Sequence, residues 1–344
     1  MAPDDLPIIP VVDLGAASCD HLAALAPDRV RVLAAAGRAL TTAPVQAWMD
    51  RRSHAWLDRN VTPYKAEIDR VAALPGISGV YALNISTEWA CSSMVHGGRL
   101  MRTLDWPLHG MGPSLTVTRH DAAVGGWWQA TWPGFVGVLT GMAPGRFAAS
   151  YNQPPIRRRC GVKPLDWVIE RVGVDRRTAI PPTHLLRQVF EKARDFDEAA
   201  GMLRETELAI PALFSLAGAD GQSVVIERLE TRARLRPGPV AIANHWPLLA
   251  ESPPGSSGDW PKGWLRGVDS GGRFRDACVV AGNLIALPDG FDWLQYPILN
   301  KYSRLAAMMD CVAGTFVVQG LEQQGQSAVP ATQVLRLEGL KPRA

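Results

Sequence analysis

Residues 91–106, Cys-Ser-Ser-Met-Val-His-Gly-Gly-Arg-Leu-Met-Arg-Thr-Leu-Asp-Trp, decide how this chain is read. A cysteine leads two small hydroxyl residues and an apolar pair. Gly97-Gly98 then turns the chain into a second run that carries Arg102 and Asp105. Two such runs joined by a Gly-Gly turn predict a β-hairpin. The hairpin brings its ends together, so the Cys91 thiol is expected beside an arginine and a carboxylate. A thiol next to a fixed cation is a candidate nucleophile, because the thiolate is the reactive form. On residue type alone, Cys91 would be a small core hydrophobe and Arg102 and Asp105 an ordinary cross-strand ion pair.

Upstream of the hairpin the pattern is mostly helical. Residues 8–18 read as a short strand and turn. Residues 20–40 and 44–73 carry apolar residues at helical spacing, with a break near Val61–Pro63 and an end at Pro75-Gly76. Residues 79–86, GVYALNIS, read as a strand. Downstream, strands are expected at about 91–96, 99–106, 114–121, 124–131, 134–140 and 146–152, separated by Gly/Pro turns. Helices follow over 165–172 and 182–206, then strands at 212–218, 223–230 and 239–244, and a loop over 250–267. Residues 269–288 read as a helix, and 297–309 with 314–320 as a closing hairpin around Asp310–Ala313. The tail after 325 reads as a polar edge. Sheets, helices and sheets again make an α+β pattern, which two antiparallel sheets face to face with helices outside would accommodate.

The chain has 344 residues, 47% hydrophobic and 20% charged, with a net charge of +3. That is ordinary for a globular protein and gives no electrostatic reason to expect a nucleic-acid partner. The five cysteines, Cys19, Cys91, Cys160, Cys278 and Cys311, are odd in number and widely spaced, which fits neither a disulfide framework nor a zinc motif. The opening Met-Ala-Pro-Asp-Asp-Leu-Pro lacks the apolar stretch of a signal peptide, no run is long enough to span a membrane, and a cytoplasmic protein is expected. Neither a nucleotide nor a metal motif occurs, so no cofactor or metal is expected. No Gly-x-Ser-x-Gly marks a serine esterase, and no family signature surrounds His96 or His245 as partners of a cysteine protease. Twelve tryptophans stand out, and Trp89, Trp106, Trp127, Trp128 and Trp132 cluster in sequence around the hairpin. They read as core, or as walls of a pocket for an apolar group.

The segment 89–106, WACSSMVHGGRLMRTLDW, resembles the one that opens the catalytic chain in the linear-amide branch of the N-terminal nucleophile (Ntn) hydrolases. That branch includes choloylglycine hydrolases, penicillin V acylase, acid ceramidase, N-acylethanolamine-hydrolysing acid amidase and the isopenicillin-N acyltransferase group. Cys91, Ser92, Ser93, Arg102, Thr103, Asp105 and Trp106 fit its pattern. Residues 132–153 are similar to its Pro-Gly-Phe…Ser-x-Asn run. VVIERLE followed by IANHW, Asp269-Ser270-Gly-Gly-Arg273, and Asn300-Lys-Tyr-Ser-Arg304 before GTFVVQG are similar to further family segments. The resemblance covers about 78–320.

The resemblance implies a four-layer αββα sandwich and a precursor that cuts itself between Ala90 and Cys91. Residues 1–90 would be a helical prosegment or small subunit, and 91–344 the catalytic domain. Cys91 would supply both thiol and α-amine, Arg102 would favour the thiolate, and Asp105 would orient the amine or thiol. Asn244 would donate to the oxyanion, Asn152 would complete the site, and Arg273 would anchor Asp105 or a substrate carboxylate. The implied reaction is hydrolysis of an N-acyl amide with an apolar acyl group through a Cys91 thioester. Acyl transfer to an amine, or binding without cleavage on the same fold, are the alternatives. The implied partners are a small N-acyl substrate and either a second copy of the chain or the two cleavage fragments held as a heterodimer.

Overall fold

The structure, a computed structural model, describes residues 5–39, 42–60, 62–85, 89–247 and 260–341. The chain begins with strand β1 (Val11–Gly15) and continues through α1 (Cys19–Leu25), α2 (Pro27–Ala39), α3 (Ala43–Arg59), α4 (Lys65–Ala72) and α5 (Val80–Ile85). The break between α3 and α4 falls where expected, though Val61 lies outside the described residues. The 79–86 run, expected as a strand, is helix α5 instead. Its first turn is capped from α3, where the Asp50 carboxylate accepts from Gly79 N at 3.3 Å and Ala82 N at 2.9 Å. A short apolar run has no period that tells a buried strand from a buried helix, so a distant cap decided it.

The hairpin is β2 (Ala90–His96) and β3 (Arg99–Asp105), turning at Gly97 (φ 54) and Gly98 (φ 84), both in the left-handed region that suits glycine. There follow β4 (Thr116–His120), β5 (Trp127–Thr131), β6 (Thr140–Ala143), β7 (Phe147–Asn152) and the short β8 (Ile156–Arg157). The strand expected at 134–140 is displaced to β6, because Pro133-Gly134 (φ 95) bends the chain and 132–139 runs as turns over the sheet. Next come α6 (Lys163–Asp175), α7 (Pro182–Lys192) and α8 (Phe196–Glu205). The helix expected over 182–206 is therefore two, since Asp195 caps a new start by accepting from Glu198 N. The order closes with β9 (Ala212–Gly218), β10 (Ser223–Arg228), β11 (Ala233–Pro237), β12 (Val240–Ile242), β13 (Gly263–Trp264), α9 (Ser270–Gly282), β14 (Ser303–Asp310), β15 (Thr315–Gln324), β16 (Ser327–Pro330) and β17 (Leu335–Leu337).

Two large sheets result. One is eight-stranded in the order β1-β4-β5-β6-β7-β9-β10-β11. The other runs β12-β2-β3-β14-β15-β16, with β17 also on β15. Their inner faces bury Cys91, Val95, Leu104, Ala148 and Leu213 in one core. Helices α7 and α8 cover the outer face of the first sheet, through Leu186, Phe190 and Leu203. Helix α9 covers the second, where Ala277 and Ala281 meet Met94 and Met101. This is the four-layer αββα sandwich. The N-terminal helices pack as a separate cluster around Trp56, Leu57, Ile68 and Val71 against Val136 and Val174. They are tied down by Glu67, which makes a bidentate bridge to the buried Arg187 at 2.8 and 2.9 Å. β1 is more intimate still. It pairs in parallel with β4, Val11 opposite Val117, so the first 90 residues supply a strand of the eight-stranded sheet as well as a helical layer.

Candidate active site

Both faces of β2 are buried, and period two sorts its side chains between them. Cys91 and Ser93 face the inter-sheet core, whereas Ser92 and Met94 face α9. On β3, Ser93 stands opposite Arg102, so Arg102 is the diagonal neighbour of Cys91 on the same face. Its Nη2 donates to Cys91 Sγ at 2.8 Å. Nη1 is held by Thr140 Oγ1 at 2.9 Å and by the Leu139 carbonyl, which aims the guanidinium at the sulphur. Arg102 is fully buried and has no carboxylate bonded to it among the described residues.

Asp105 lies three residues on, an odd step, so it projects from the other face of β3. The expected meeting of thiol, arginine and carboxylate at one point does not form. The carboxylate sits instead under α9, accepting from Asn300 Nδ2 and Ser303 Oγ at 2.8 Å each, with Arg273 Nη1 at 3.6 Å. Burial pushes the Asp105 carboxyl pKa up, while Arg273, Asn300 and Ser303 pull it back.

Arg273 connects the two faces. From α9 it donates to the Cys91 carbonyl at 2.6 Å, to Asn244 Oδ1 at 2.9 Å and to the carbonyls of Val268 and Arg266 at 2.7 and 3.0 Å. Asn244 lies two residues past the end of β12, where the next ladder partner of β2 would be Cys91. Its side chain replaces that partner. Oδ1 accepts from Cys91 N at 2.9 Å, and Nδ2 donates to the Gln153 carbonyl at 2.8 Å. Asn244 therefore grips the nitrogen of the Ala90–Cys91 peptide bond. Its amide donor, assigned to an oxyanion from sequence, is spent on Gln153. Ser270 Oγ accepts from Asn244 N at 3.1 Å and pairs with His245 Nδ1 at 2.8 Å, fixing the backbone at this point.

Asn152 stands one step back. It accepts from Ser93 Oγ at 2.7 Å and donates to the Ile242 and Ala243 carbonyls, and among the described residues it makes no hydrogen bond to Cys91. It braces β7 against β12. Sequence reasoning assigned no role to Gln153, Ser270, Asn300 or Ser303. All four lie in quoted family segments, which was the available signal. Gln153 Oε1 also takes the Trp89 N–H at 3.0 Å, holding the residue before Ala90.

The Cys91 thiol is wholly buried, and burial pushes its pKa up to about 11 against the opposing pull of Arg102 and Arg273. The thiol is therefore protonated at neutral pH. Trp89, Trp106 and Trp132 pack edge to face beside it, with ring centroids 5.2 and 5.8 Å apart. Trp127 does not join them. It lies on the outer face of the first sheet, stacked on His120 and Phe190. Trp128, one residue on, points to the other face of β5 but, at the far end from Trp132, touches neither Trp89 nor Trp106 among the described ring pairs. A cleft of about 510 Å³ opens beside the Ala90–Cys91 bond, walled by Trp89, Trp167 and Tyr302.

A buried cysteine thus begins an inner strand of an αββα sandwich, with an arginine on its sulphur and an asparagine on its nitrogen. The chain is similar to amide-cleaving hydrolases in both sequence and structure. Among curated proteins it is similar to the acid ceramidases of Heterocephalus glaber, 32% identical over 96 residues, and of Pan troglodytes, 31% over 100 residues. Those matches cover 28% and 29% of this chain and 23% and 24% of the relatives, so the chain spans about a quarter of the relatives' length. No family model matches. Among solved structures it is similar to the Caenorhabditis elegans ortholog of N-acylethanolamine-hydrolyzing acid amidase, with a TM-score of 0.43 and 17% identity over 64% of this chain and 93% of that one. It is also similar to a conjugated bile acid hydrolase from Clostridium perfringens, with a TM-score of 0.42 and 11% identity over 73% and 97%.

Proposed function

We propose that this chain is an N-terminal-cysteine amidohydrolase. It first cuts itself between Ala90 and Cys91, then cleaves linear N-acyl amides with an apolar acyl group through a Cys91 thioester. One observation carries the reading. Cys91 is gripped at both of its reactive atoms, the sulphur by Arg102 at 2.8 Å and the peptide nitrogen by Asn244 at 2.9 Å. A cysteine that only fills space needs neither contact.

In self-cleavage, Cys91 Sγ adds to the Ala90 carbonyl carbon. The thiol proton ends on the Cys91 nitrogen as the C–N bond breaks, leaving the Ala90 acyl group as a thioester. Water then splits the thioester into an Ala90 carboxylate and a free thiol. The released α-amine has an ordinary pKa of about 7.7–8.0, which suits a general base at neutral pH. In turnover it takes the thiol proton while Arg102 steadies the thiolate, and the sulphur attacks the substrate carbonyl. The ammonium returns the proton to the leaving nitrogen, and water hydrolyses the acyl-enzyme. Asn244 Oδ1, already on that nitrogen, orients the amine. Arg273 holds Asn244 and Asp105 together. The aromatic walls of the cleft support an apolar acyl group.

Intact-mass spectrometry tests both steps. Wild type is expected as two fragments, residues 1–90 and 91–344, and Cys91→Ala as one full-length chain. Wild type that stays uncut and takes up no acyl group from any member of an N-acyl amide panel would overturn the reading.

A further inference from the structure

Asn244 is held from one helix. Ser270 and Arg273 lie three residues apart on α9, so both project from the same side of it. Ser270 Oγ takes the Asn244 backbone N–H at 3.1 Å, and Arg273 Nη2 donates to Asn244 Oδ1 at 2.9 Å. The residue that grips the Cys91 nitrogen is therefore clamped at its backbone and at its side chain. The start of the helix sets this spacing. Asp269 stands just before it at φ 33, in the left-handed region, and accepts from Gly272 N at 2.9 Å.

Proton accounting extends the clamp to His245. A hydroxyl has one hydrogen to give and two lone pairs to offer. Ser270 is 1% exposed, so its hydroxyl hydrogen needs a partner inside the protein. One lone pair is taken by Asn244 N, and the other partner among the described residues is His245 Nδ1 at 2.8 Å. The hydrogen is satisfied when it points at Nδ1, which is then an acceptor, with the ring proton on Nε2. The opposite tautomer, or an imidazolium, would aim a second donor at Ser270 Oγ and strand the hydroxyl hydrogen. The surroundings keep the ring neutral. Burial, with Arg273 and Arg236 nearby, pushes the His245 pKa down to about 4. Glu227, the carboxylate on this side, accepts from Arg236 Nε at 2.9 Å. Phe274 meets the imidazole edge to face, with centroids 5.1 Å apart.

We propose that Ser270 and His245 are positioning residues for the bond before Cys91. His245, protonated on Nε2, takes the Ser270 hydroxyl hydrogen. Ser270 is thereby turned to hold the Asn244 backbone, and Asn244 Oδ1 stays on the Cys91 nitrogen. The proposal rests on the amidohydrolase reading and adds to that site two residues that touch no reacting atom. His245 neither gives nor takes a proton in the reaction. Its contribution is an acceptor at Nδ1. A small displacement of Asn244 would tilt the peptide plane that Cys91 Sγ must approach, and misplacement of reacting groups is costly in rate.

Two measurements test this. The first follows self-cleavage by intact mass in His245→Leu, which removes the acceptor, and in His245→Asn, whose Oδ1 falls near the place of Nδ1. His245→Leu should cut about tenfold more slowly than wild type, and His245→Asn should recover most of that loss. Leu and Asn variants that cut at one rate overturn the proposal, because a ring that only fills space is indifferent to the acceptor. The second measurement needs no activity. In isotope-labelled, full-length Cys91→Ala protein, the nitrogen resonances of the His245 ring are assigned by comparison with the same chain carrying His245→Asn. They should show Nδ1 bare and Nε2 protonated at neutral pH. A proton on Nδ1, in a protein whose wild type cuts itself, overturns the positioning role and leaves the amidohydrolase reading standing. Wild type that neither cuts itself nor takes up an acyl group overturns both, whatever the tautomer.

Discussion

Two fully buried arginines touch Cys91 from opposite faces of one sheet, and they do different work. Arg273, on the α9 side, has the Asp105 carboxylate at 3.6 Å and spends its remaining donors on backbone oxygens, Asn244 and the Ser92 hydroxyl. It is a paired charge that fixes geometry. Arg102, on the inter-sheet side, meets a carbonyl, a hydroxyl and a thiol, all neutral. Burial alone pulls its pKa below the usual arginine range, and the species that would relieve this cost is a Cys91 thiolate. The difference teaches where reactivity is stored. Charge without an anion sits on the thiol's side of the sheet, and charge already balanced sits on the α9 side.

The comparison can be broken by removing either cation. Arg102→Leu should slow self-cleavage by roughly 10²–10³-fold, from the several kcal/mol that a buried charge loses with its partner. Because Arg102 lowers the thiol pKa, the variant should also need a higher pH than wild type to reach half its maximal rate. A cleavage rate and pH profile equal to wild type in a time course followed by mass would refute the assignment. Arg273→Ala, made in a Cys91→Ala background so that cutting does not intervene, leaves Asp105 buried without a cation. It should cost about 3–5 kcal/mol in urea unfolding. Arg102→Leu in that background should cost no more than about 1–2 kcal/mol, since only hydrogen bonds are lost. Equal losses would erase the distinction. The smallest effect is expected at Asn152. Asn152→Ala should cost about 1–2 kcal/mol of stability and leave the cleavage rate within about threefold of wild type.

Much of this was legible in the sequence, for physical reasons that differ from place to place. The hairpin read correctly because a Gly-Gly turn and a period-two pattern constrain the same residues. Cys91, Arg102, Asn244 and Arg273 do converge, as the family segments implied. The separation of Arg102 from Asp105 was also readable, since an odd spacing on a strand puts two side chains on opposite faces. The motif encouraged reading the two as one cluster. Helix α5 was not readable locally, because its start depends on Asp50 in another helix. Strand β11 escaped notice because Arg234 and Arg236 lie on an edge strand, where alternation of apolar residues is weak. The supports of Asp105 come from nearly 200 positions away, at Asn300 and Ser303, and no local pattern could join them.

The parallel pairing of β1 with β4 has a consequence for the cut protein. Before the cut, that edge strand is tethered to its sheet and unfolding is unimolecular. If the chain is cut between Ala90 and Cys91 as proposed, the same strand belongs to a separate polypeptide. Unfolding then liberates two chains, and the equilibrium acquires a dependence on dilution that the precursor lacks. Breaking that one peptide bond would thus change the molecularity of unfolding. The Tm of the cut protein should rise with protein concentration, and that of the Cys91→Ala precursor should not.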